Sequence, residues 1–473
     1  MSTAPPTQRR PDLDTLYCLN PDGSRNTIHT ADVRGRYQVR KKLVWAVLVA
    51  IYLILPWVQV GGRQAILIDI QARHFYLFGH TFNAQDFYLA FFFLTGIGFG
   101  LIVVSALWGR IWCGFACPHT VFLEGFFRRI ERWIDGPPAK QKELRAMPWN
   151  GAKVRKRVVK HGLYLAMSFV LAHTLLSWFV PARELGAIVT GSPAAHPTAF
   201  GFVLLATGLM YLNFSWFREQ LCLIVCPYGR LQSVLYDRDT VQVTYDHTRG
   251  EPRGKYHAEG RGHCIDCYRC VAVCPTGIDI RNGSQMECVG CSNCVDACDE
   301  VMAKLGQPKG LIRYDSLNGI ESGSRRFWRP RVFLYGVLLL VGLGVFTFAA
   351  SRRTGFEASL LRMQGPLFEV QGEQVRNGLT LHLINKLPRK ETFTLEVGVH
   401  DAGVPVPAEC IVPVPESDGV LRVELDSLRD LRVPVFVLVP RDAVREGIEV
   451  RVVVRGGGEE RVARAKFAGP LQR

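Results

Sequence analysis

Five stretches of this chain run for 18 residues or more without an Asp, Glu, Lys or Arg: Leu43–Val60, Phe87–Trp108, Gly162–Val180, Ala199–Phe217 and Val332–Ala350. A bilayer core takes about 20 apolar residues at 1.5 Å rise per residue. Inside it, every backbone polar group must be satisfied within the segment, so such runs form helices. One run alone could be a buried core helix; five predict membrane spans. The first is not a cleaved leader, because a long polar segment precedes it and Gly61-Gly62-Arg63 is not a small-x-small cleavage site. It is expected to stay as an anchor.

The charge distribution gives an orientation. The net charge is +15. Segment 1–42 carries +4, 109–161 carries +8 and 218–331 carries +2, whereas 61–86 and 181–198 carry none and 351–473 carries +1. Basic residues favour cytoplasmic loops. The expectation is therefore a cytoplasmic N-terminus, cytoplasmic segments 109–161 and 218–331, and a periplasmic C-terminal segment. Trp57, Trp108, Trp178 and Trp216 lie near span ends, as interfacial aromatics do. This accounts for the basic balance without nucleic acid. The stretch from Pro137-Pro138 to Lys160 fits anionic headgroups better.

Fourteen cysteines among 473 residues fall well below the roughly 8–10% of short disulfide scaffolds. Eight lie in two runs. Cys264, Cys267, Cys270 and Cys274-Pro275 read C-x2-C-x2-C-x3-C-P; Cys288, Cys291, Cys294 and Cys298 repeat the spacing 24 residues later without the proline. This is the bacterial two-cluster ferredoxin pattern, in which the fourth cysteine of each run serves the other cluster. One [4Fe–4S] cluster is expected on Cys264, Cys267, Cys270 and Cys298, the other on Cys288, Cys291, Cys294 and Cys274. Zinc more often takes two C-x2-C pairs or Cys/His mixtures, and disulfides are rare in the cytoplasm.

Four more cysteines form a repeat. The second span is followed by Arg110 and then Cys113-x3-Cys117-Pro118; the fourth by Arg218 and then Cys222-x3-Cys226-Pro227. Each motif leads into a basic or amphipathic stretch, Val121–Trp133 and Leu231–Tyr236. Residues i and i+4 share a helical face, so each pair is expected to project together. Proline disfavours helical geometry at the cysteine before it, which marks a break at the membrane face. Two converging pairs would make a four-thiolate site, and soft thiolates select Cu(I), zinc or iron–sulfur centres. Buried small residues or two metal-free redox dithiols are the alternatives.

The whole chain resembles the cytochrome c oxidase accessory protein family CcoG, also called FixG or RdxA. The resemblance runs through Gly35-Arg36-Tyr37 to Pro56-Trp57, Trp112 to Pro118, Gly254-Lys255-Tyr256-His257, Asp299 to Lys304 and Gly310 to Tyr314. It implies a multi-pass polyferredoxin of the bacterial inner membrane, needed to assemble cbb(3)-type cytochrome oxidase. It further implies an oxidoreductase that converts Cu(II) to Cu(I), with Cys113, Cys117, Cys222 and Cys226 as the catalytic, copper-holding residues and the ferredoxin cysteines as the relay. The implied partners are the membrane, copper, a cytoplasmic electron donor and the oxidase assembly machinery; a homodimer is compatible with them. His119 stands where the family usually has glutamine. An imidazole there could extend a metal site or be a polar residue at a helix end.

His173 falls mid-span, where an ionisable residue is a functional candidate by default; a neutral imidazole bonded to a neighbouring helix is the plainer expectation. Gly96, Gly98 and Gly100 are expected to let a helix approach closely. Cys18 and Cys410 look incidental. Beyond Met363, short runs (Leu379–Ile384, Thr392–Val399, Cys410–Val414, Val420–Leu425, Leu431–Val439 and Ile448–Val454) are separated by turn signals. That spacing fits an immunoglobulin-like sandwich, for which a docking role rests on fold analogy alone.

The expected fold is thus an α-helical membrane protein of five transmembrane helices, with an inserted bacterial two-cluster ferredoxin-type domain and a C-terminal all-β immunoglobulin-like sandwich. The divisions are 1–42, 43–217, 218–331 (ferredoxin part about 255–305), 332–350 and 351–473. Two other functions compete with cupric reduction: an electron-transfer subunit serving quinone or a periplasmic reductase, and a non-enzymatic assembly scaffold.

Overall fold

A computed structural model describes residues 27–470 except 62, 83–85, 388, 402, 415, 418 and 419. Cys18 lies outside the described residues. The chain divides into two units: residues 1–67 with 91–344, and residues 68–90 with 345–473.

The first unit holds most of the helical part. Helix α1 spans Arg36–Ile54, α2 Phe87–Trp108, α3 Gly151–Leu176, α4 Pro197–Leu212 (continued by a wider π turn, Asn213–Phe217), α5 Asn293–Lys304 and α6 Pro330–Ser351. Four of these, α2, α3, α4 with its π turn, and α6, are long and apolar enough to cross a membrane.

The first apolar run behaves differently from the sequence expectation. Its helix begins at Arg36, so the opening turns carry Arg36, Arg40, Lys41 and Lys42, and it ends at Ile54. Pro56 sits in a 3₁₀ turn, Leu55–Trp57. Beyond it, Gln59–Val60 pairs back on Arg63–Gln64, with Gly61 at φ 60° making the turn. The uncharged helix, Leu43–Ile54, covers about 18 Å at 1.5 Å per residue, short of a core about 30 Å thick.

Gly96, Gly98 and Gly100 do not mediate helix approach within the described chain: a Cβ at each would meet nothing within 4 Å. Their helix is largely exposed at this level, so no neighbour is there to approach.

The ferredoxin-like part is closed by an antiparallel pair, Gln242–Tyr245 with Ile312–Asp315. Val243, Tyr245, Ile278, Ile280, Val295, Met302, Leu311 and Ile312 pack around Cys264 and Cys270. The two cysteine runs share one backbone course. Asp266 and Tyr268 in the first run, and Gly290 and Ser292 in the second, take positive φ of 53°, 54°, 65° and 61°. A short helix, Arg269–Ala272, follows the first loop, and α5 follows the second. Left-handed residues on either side of the second cysteine fold each loop tightly back, and three of the four pay a Cβ penalty to do so.

The second unit is a β-sandwich. Strands β1 (Phe356–Arg362), β2 (Gln374–Asn385), β3 (Glu391–Asp401), β4 (Val420–Leu425), β5 (Asp430–Pro440), β6 (Glu449–Gly456) and β7 (Glu459–Lys466) form two antiparallel sheets. One has the order β5-β2-β1 and the other β4-β3-β6-β7, with short segments added at their margins. Alternate residues face inward: Val375, Leu379, Leu381 and Leu383 of β2 meet Val450, Val452 and Val454 of β6 in one core. The period-2 patterning of the sequence has this cause. β1 and β7 lay outside the runs legible from sequence. Asp86, just before α2, belongs to this unit. Its buried carboxylate accepts from Lys386 Nζ at 2.9 Å and Arg353 Nε at 3.1 Å. Cys410 is a free, half-buried thiol on the edge segment Glu409–Ile411.

Candidate redox site

The eight ferredoxin cysteines surround two apolar voids. Cys264, Cys267, Cys270 and Cys298 line one, with Tyr245, Met302 and Ile312. Cys274, Cys288, Cys291 and Cys294 line the other, which Cys270 also touches, with Val243, Ile278 and Ile280. The first void thus draws three cysteines from the first run and one from the second; the other draws three from the second run and two, Cys270 and Cys274, from the first. All eight are free thiols.

Among the described residues, no three His, Cys, Asp or Glu side chains close to single-ion distance. A four-iron cube instead takes one thiolate per iron, so its ligands stand apart around a void. Burial pushes the Cys288 and Cys298 thiols up to about 12 and Cys291 up to about 11. As free thiols they are protonated and inert; a bound metal is what ionises such ligands. Four thiols, an apolar wall and a tight loop fit an iron–sulfur cluster in each void.

The paired C-x3-C-P motifs keep their proline break but not a continuous helix. Cys113 lies on a short helix, Ile111–Phe115, and Cys117 is extended at ψ 124° before Pro118. Cys222 lies in a π turn, Leu221–Val225, and Cys226 is extended at ψ 111° before Pro227. The two motifs match in detail. Cys117 N donates to Trp112 O at 2.9 Å and Cys226 N donates to Leu221 O at 2.8 Å, each reaching five residues back. All four thiols lie within mutual electrostatic reach: Cys222 senses Cys113, Cys117 and Cys226, and Cys113 senses Cys117 and Cys226. Burial pushes Cys113 up to about 12, with Cys117 adding to it and Arg110 opposing. Cys113 Sγ is 3.4 Å from Gln232 Oε1.

Cross-links join the motifs. Arg110 of the first donates to the carbonyl of Gly229 beyond the second. Arg218 of the second pairs with Glu131 beyond the first at 2.8 Å. Burial alone would raise the Glu131 carboxyl, but Arg218 and Lys160 hold it down at about 2. His119 has both ring nitrogens engaged: Nε2 donates to Arg218 O at 3.0 Å and Nδ1 accepts from Asn213 Nδ2 at 3.2 Å. It also stacks on Phe214. These contacts make His119 a brace between the motifs. His173 Nδ1 bonds the carbonyl of Phe169 at 2.9 Å, one turn back on its own helix rather than on a neighbour.

The ferredoxin part rests on the first motif through two glycines. A Cβ on Gly114 would stand 2.5 Å from Gly290 O and 2.8 Å from Cys291 Cα; one on Gly290 would stand 2.8 Å from Arg110 O. A small cavity lined by Lys41, Glu219, Cys222, Val289 and Cys291 joins the second motif to the same loop. Lys41 is buried and donates to Asn293 Oδ1 at 2.6 Å and toward Cys291 O at 3.4 Å. Sequence reasoning missed Lys41, Gly114 and Gln232, whose roles lie in long-range contacts. The only local signal was a glycine directly after Cys113 and another directly before Cys291.

Comparisons with known proteins agree with this chemistry. Residues 217–317 match the family described as "4Fe-4S dicluster domain", 89–137 "4Fe-4S binding domain", and 346–470 "IG-like fold at C-terminal of FixG". The chain is 33% identical to "Nitrogen fixation protein FixG" of Rhizobium meliloti, covering 94% of this chain and 93% of that one. It is 37% identical to "Protein RdxA" of Cereibacter sphaeroides, covering 79% and 82%, and 33% identical to "Protein RdxB" of the same organism, covering 84% and 85%. With its iron–sulfur domains, apolar helices and C-terminal sandwich, the chain belongs to the FixG family.

Proposed function

We propose that this protein is a membrane electron-transfer enzyme that reduces Cu(II) to Cu(I) at Cys113, Cys117, Cys222 and Cys226, in the service of assembling a cbb(3)-type cytochrome oxidase. Cys264, Cys267, Cys270 and Cys298 would hold one [4Fe–4S] cluster, and Cys274, Cys288, Cys291 and Cys294 the other. Such clusters supply one-electron transfer when bound. The chain's own contribution is placement. It buries the thiols among apolar side chains, lays the Gly290–Cys291 loop on Gly114, and sets Cys222 across a small cavity from Cys291.

That contact between loop and motif carries the proposal, because it leaves little space between the last relay ligands and the four membrane-face thiols. Thiolates prefer Cu(I), whereas Cu(II) prefers tetragonal N and O ligands, so a sulfur site favours the reduced ion. Each Cu(II) takes one electron from a cytoplasmic one-electron donor. The proposed topology counts the first apolar run, α1 together with the Leu55–Trp57 turn that extends it, as a fifth crossing, with the ferredoxin part in the cytoplasm and the sandwich in the periplasm, following the charge bias of the connecting segments.

The test is Cu(II) reduction by purified full-length protein supplied with electrons, read with a Cu(I) chelator. Replacing Cys113, Cys117, Cys222 and Cys226 together by Ser is expected to abolish reduction while iron and sulfide content stay at wild-type levels. Unchanged reduction in that variant overturns the assignment.

A further inference from the structure

The two cysteine-lined voids sit in different electrostatic surroundings. Around the Cys288–Cys294 void stand two buried cations with no carboxylate partner among the described residues. Lys41 donates to Asn293 Oδ1 and toward Cys291 O. Arg110 donates to Gly229 O and has its own carbonyl against Gly290. Lys41 is in electrostatic reach of Cys291, and Arg110 of Cys288, Cys113 and Cys222. Three carboxylates come near. Glu219 is held by Arg128 at 3.4 Å and by Arg218 at 3.9 Å. Glu124 is held by Arg128 at 3.1 Å. Asp296 accepts from the amides of Tyr37 and Gln38, at 3.2 and 2.9 Å.

The Cys264–Cys270 void is set among cations that are already answered. Arg281 is clasped by Asp279, with Nη2 to Oδ2 at 2.6 Å, and by Asp266. Asp299, in reach of Cys298, accepts from Gly310 N at 2.8 Å and pairs with the exposed Arg36 at 3.6 Å. Arg269, half-buried, lines the same void and donates to Asp32 O at 2.9 Å. Cys267 is exposed, the only one of the eight ferredoxin thiols that is.

Reducing a cluster adds one negative charge, and nearby net charge and burial set how readily that happens. An uncompensated buried cation favours the reduced form, and its effect is large where water is excluded.

We propose that Lys41 and Arg110 make the cluster of Cys274, Cys288, Cys291 and Cys294 the more easily reduced of the two, so that electrons enter at the exposed Cys267 side and run downhill toward Cys222. The proposal rests on the two-cluster assignment above. Each step moves one electron and makes or breaks no bond. A one-electron donor of the reduced ferredoxin or flavin class is oxidised, the first cluster is reduced and reoxidised as it reduces the second, and the acceptor at the thiol site is reduced last. Lys41 and Arg110 act through the cluster's surroundings; they are tuning residues.

The experiment is an anaerobic dithionite titration of cluster-loaded, full-length protein in detergent, followed by electron paramagnetic resonance. Cys267→Ser and Cys291→Ser assign the two signals. In wild type, the signal altered by Cys291→Ser is expected to appear at the higher potential. Lys41→Met is expected to make that cluster at least about tenfold harder to reduce, which is about 59 mV for one electron, and to leave the other signal in place; Lys41→Arg is expected to restore it. If the Cys267-side cluster reduces first in wild type, or if Lys41→Met moves neither signal or both equally, the proposal is overturned. Should the methionine variant fail to load clusters, the wild-type order alone decides. The titration contains no copper, so failure of the cupric reductase proposal leaves it readable.

Discussion

Gly114→Ala is the smallest change that tests how the relay is joined to the membrane motif. An added Cβ would lie 2.5 Å from Gly290 O, 2.7 Å from Gly290 C and 2.8 Å from Cys291 Cα, all backbone atoms with no side chain to swing away. Ordinary contact begins at about 3.4 Å, so the loop and the motif must part by about 0.9 Å at the tightest point. Overpacking of this kind costs about 1–3 kcal/mol, or about 5- to 150-fold in the equilibrium between docked and undocked forms. Gly98 is the control. It lies in α2, where a Cβ meets nothing within 4 Å, and Ala there gains about 1 kcal/mol of helix propensity over Gly. The assay pairs Cu(II) reduction with cluster loss on heating, followed by loss of visible absorbance. Gly114→Ala is expected to slow reduction and to lower the temperature of cluster loss, whereas Gly98→Ala leaves the first unchanged and does not lower the second. If Gly114→Ala matches wild type in both, the glycine contact does not join the two sites.

Other substitutions probe the frame around the site. Glu131 has its carboxyl lowered from 4.5 to about 2 by Arg218 and Lys160 against the pull of burial. That shift corresponds to about 3 kcal/mol, fully present above pH 4.5 and lost as pH falls toward 2. Glu131→Gln is therefore expected to destabilise the protein at neutral pH and progressively less below pH 4.5, as read from denaturation midpoints; a pH-independent effect contradicts the linkage. His119→Gln should retain Cu(II) reduction and lose about 1 kcal/mol of stability or less, because an amide can still bridge Arg218 O and Asn213; loss of activity with intact folding would make His119 a ligand after all. Asp86→Ala removes the buried carboxylate that Lys386 and Arg353 share, leaving Lys386 with Glu357 at 3.1 Å, and should cost the second unit about 1.5–3 kcal/mol, seen as a lower melting temperature.

What could be read from sequence divides by the range of the interactions involved. Phe87–Trp108 coincides with its helix because uncharged residues end where the helix does, and Val420–Leu425 coincides with β4 because Arg422 and Glu424 alternate with inward-facing Val423 and Leu425. The first apolar run does not, because hydropathy is blind to the 3₁₀ turn at Pro56 and to a helix that begins among Arg36–Lys42. β7, Glu459–Lys466, carries mostly exposed charged residues with Ala463 buried, so its alternation is too weak to stand out from a loop. The cysteine spacing predicted both quartets by a local rule of cluster chemistry, and the members of each line one void. The i, i+4 argument for the membrane motifs used the wrong geometry: the chain is broken at Cys117 and Cys226, so neither pair lies on one continuous helical face. Lys41 gave no signal. It looks like one more basic residue before a span and is instead buried against Asn293.

The internal repeat explains why the tertiary contacts between the two motifs hold. Each C-x3-C-P motif has the same five-residue backbone bond ahead of its second cysteine. Each also sends its arginine to the other motif's surroundings, Arg110 to Gly229 and Arg218 to Glu131. Within its own half Arg218 reaches Glu219 at 3.9 Å, longer than its 2.8 Å pair with Glu131. A poorly paired buried charge is costly, so each arginine is better met when the halves face each other. The charged residues that look like topology markers in the sequence therefore also hold the two motifs against each other, and His119 adds a brace from the first motif to Arg218 O of the second. Disrupting one pair's frame is therefore expected to disturb the other pair's thiols as well, the outcome that separates a single centre from two independent dithiols.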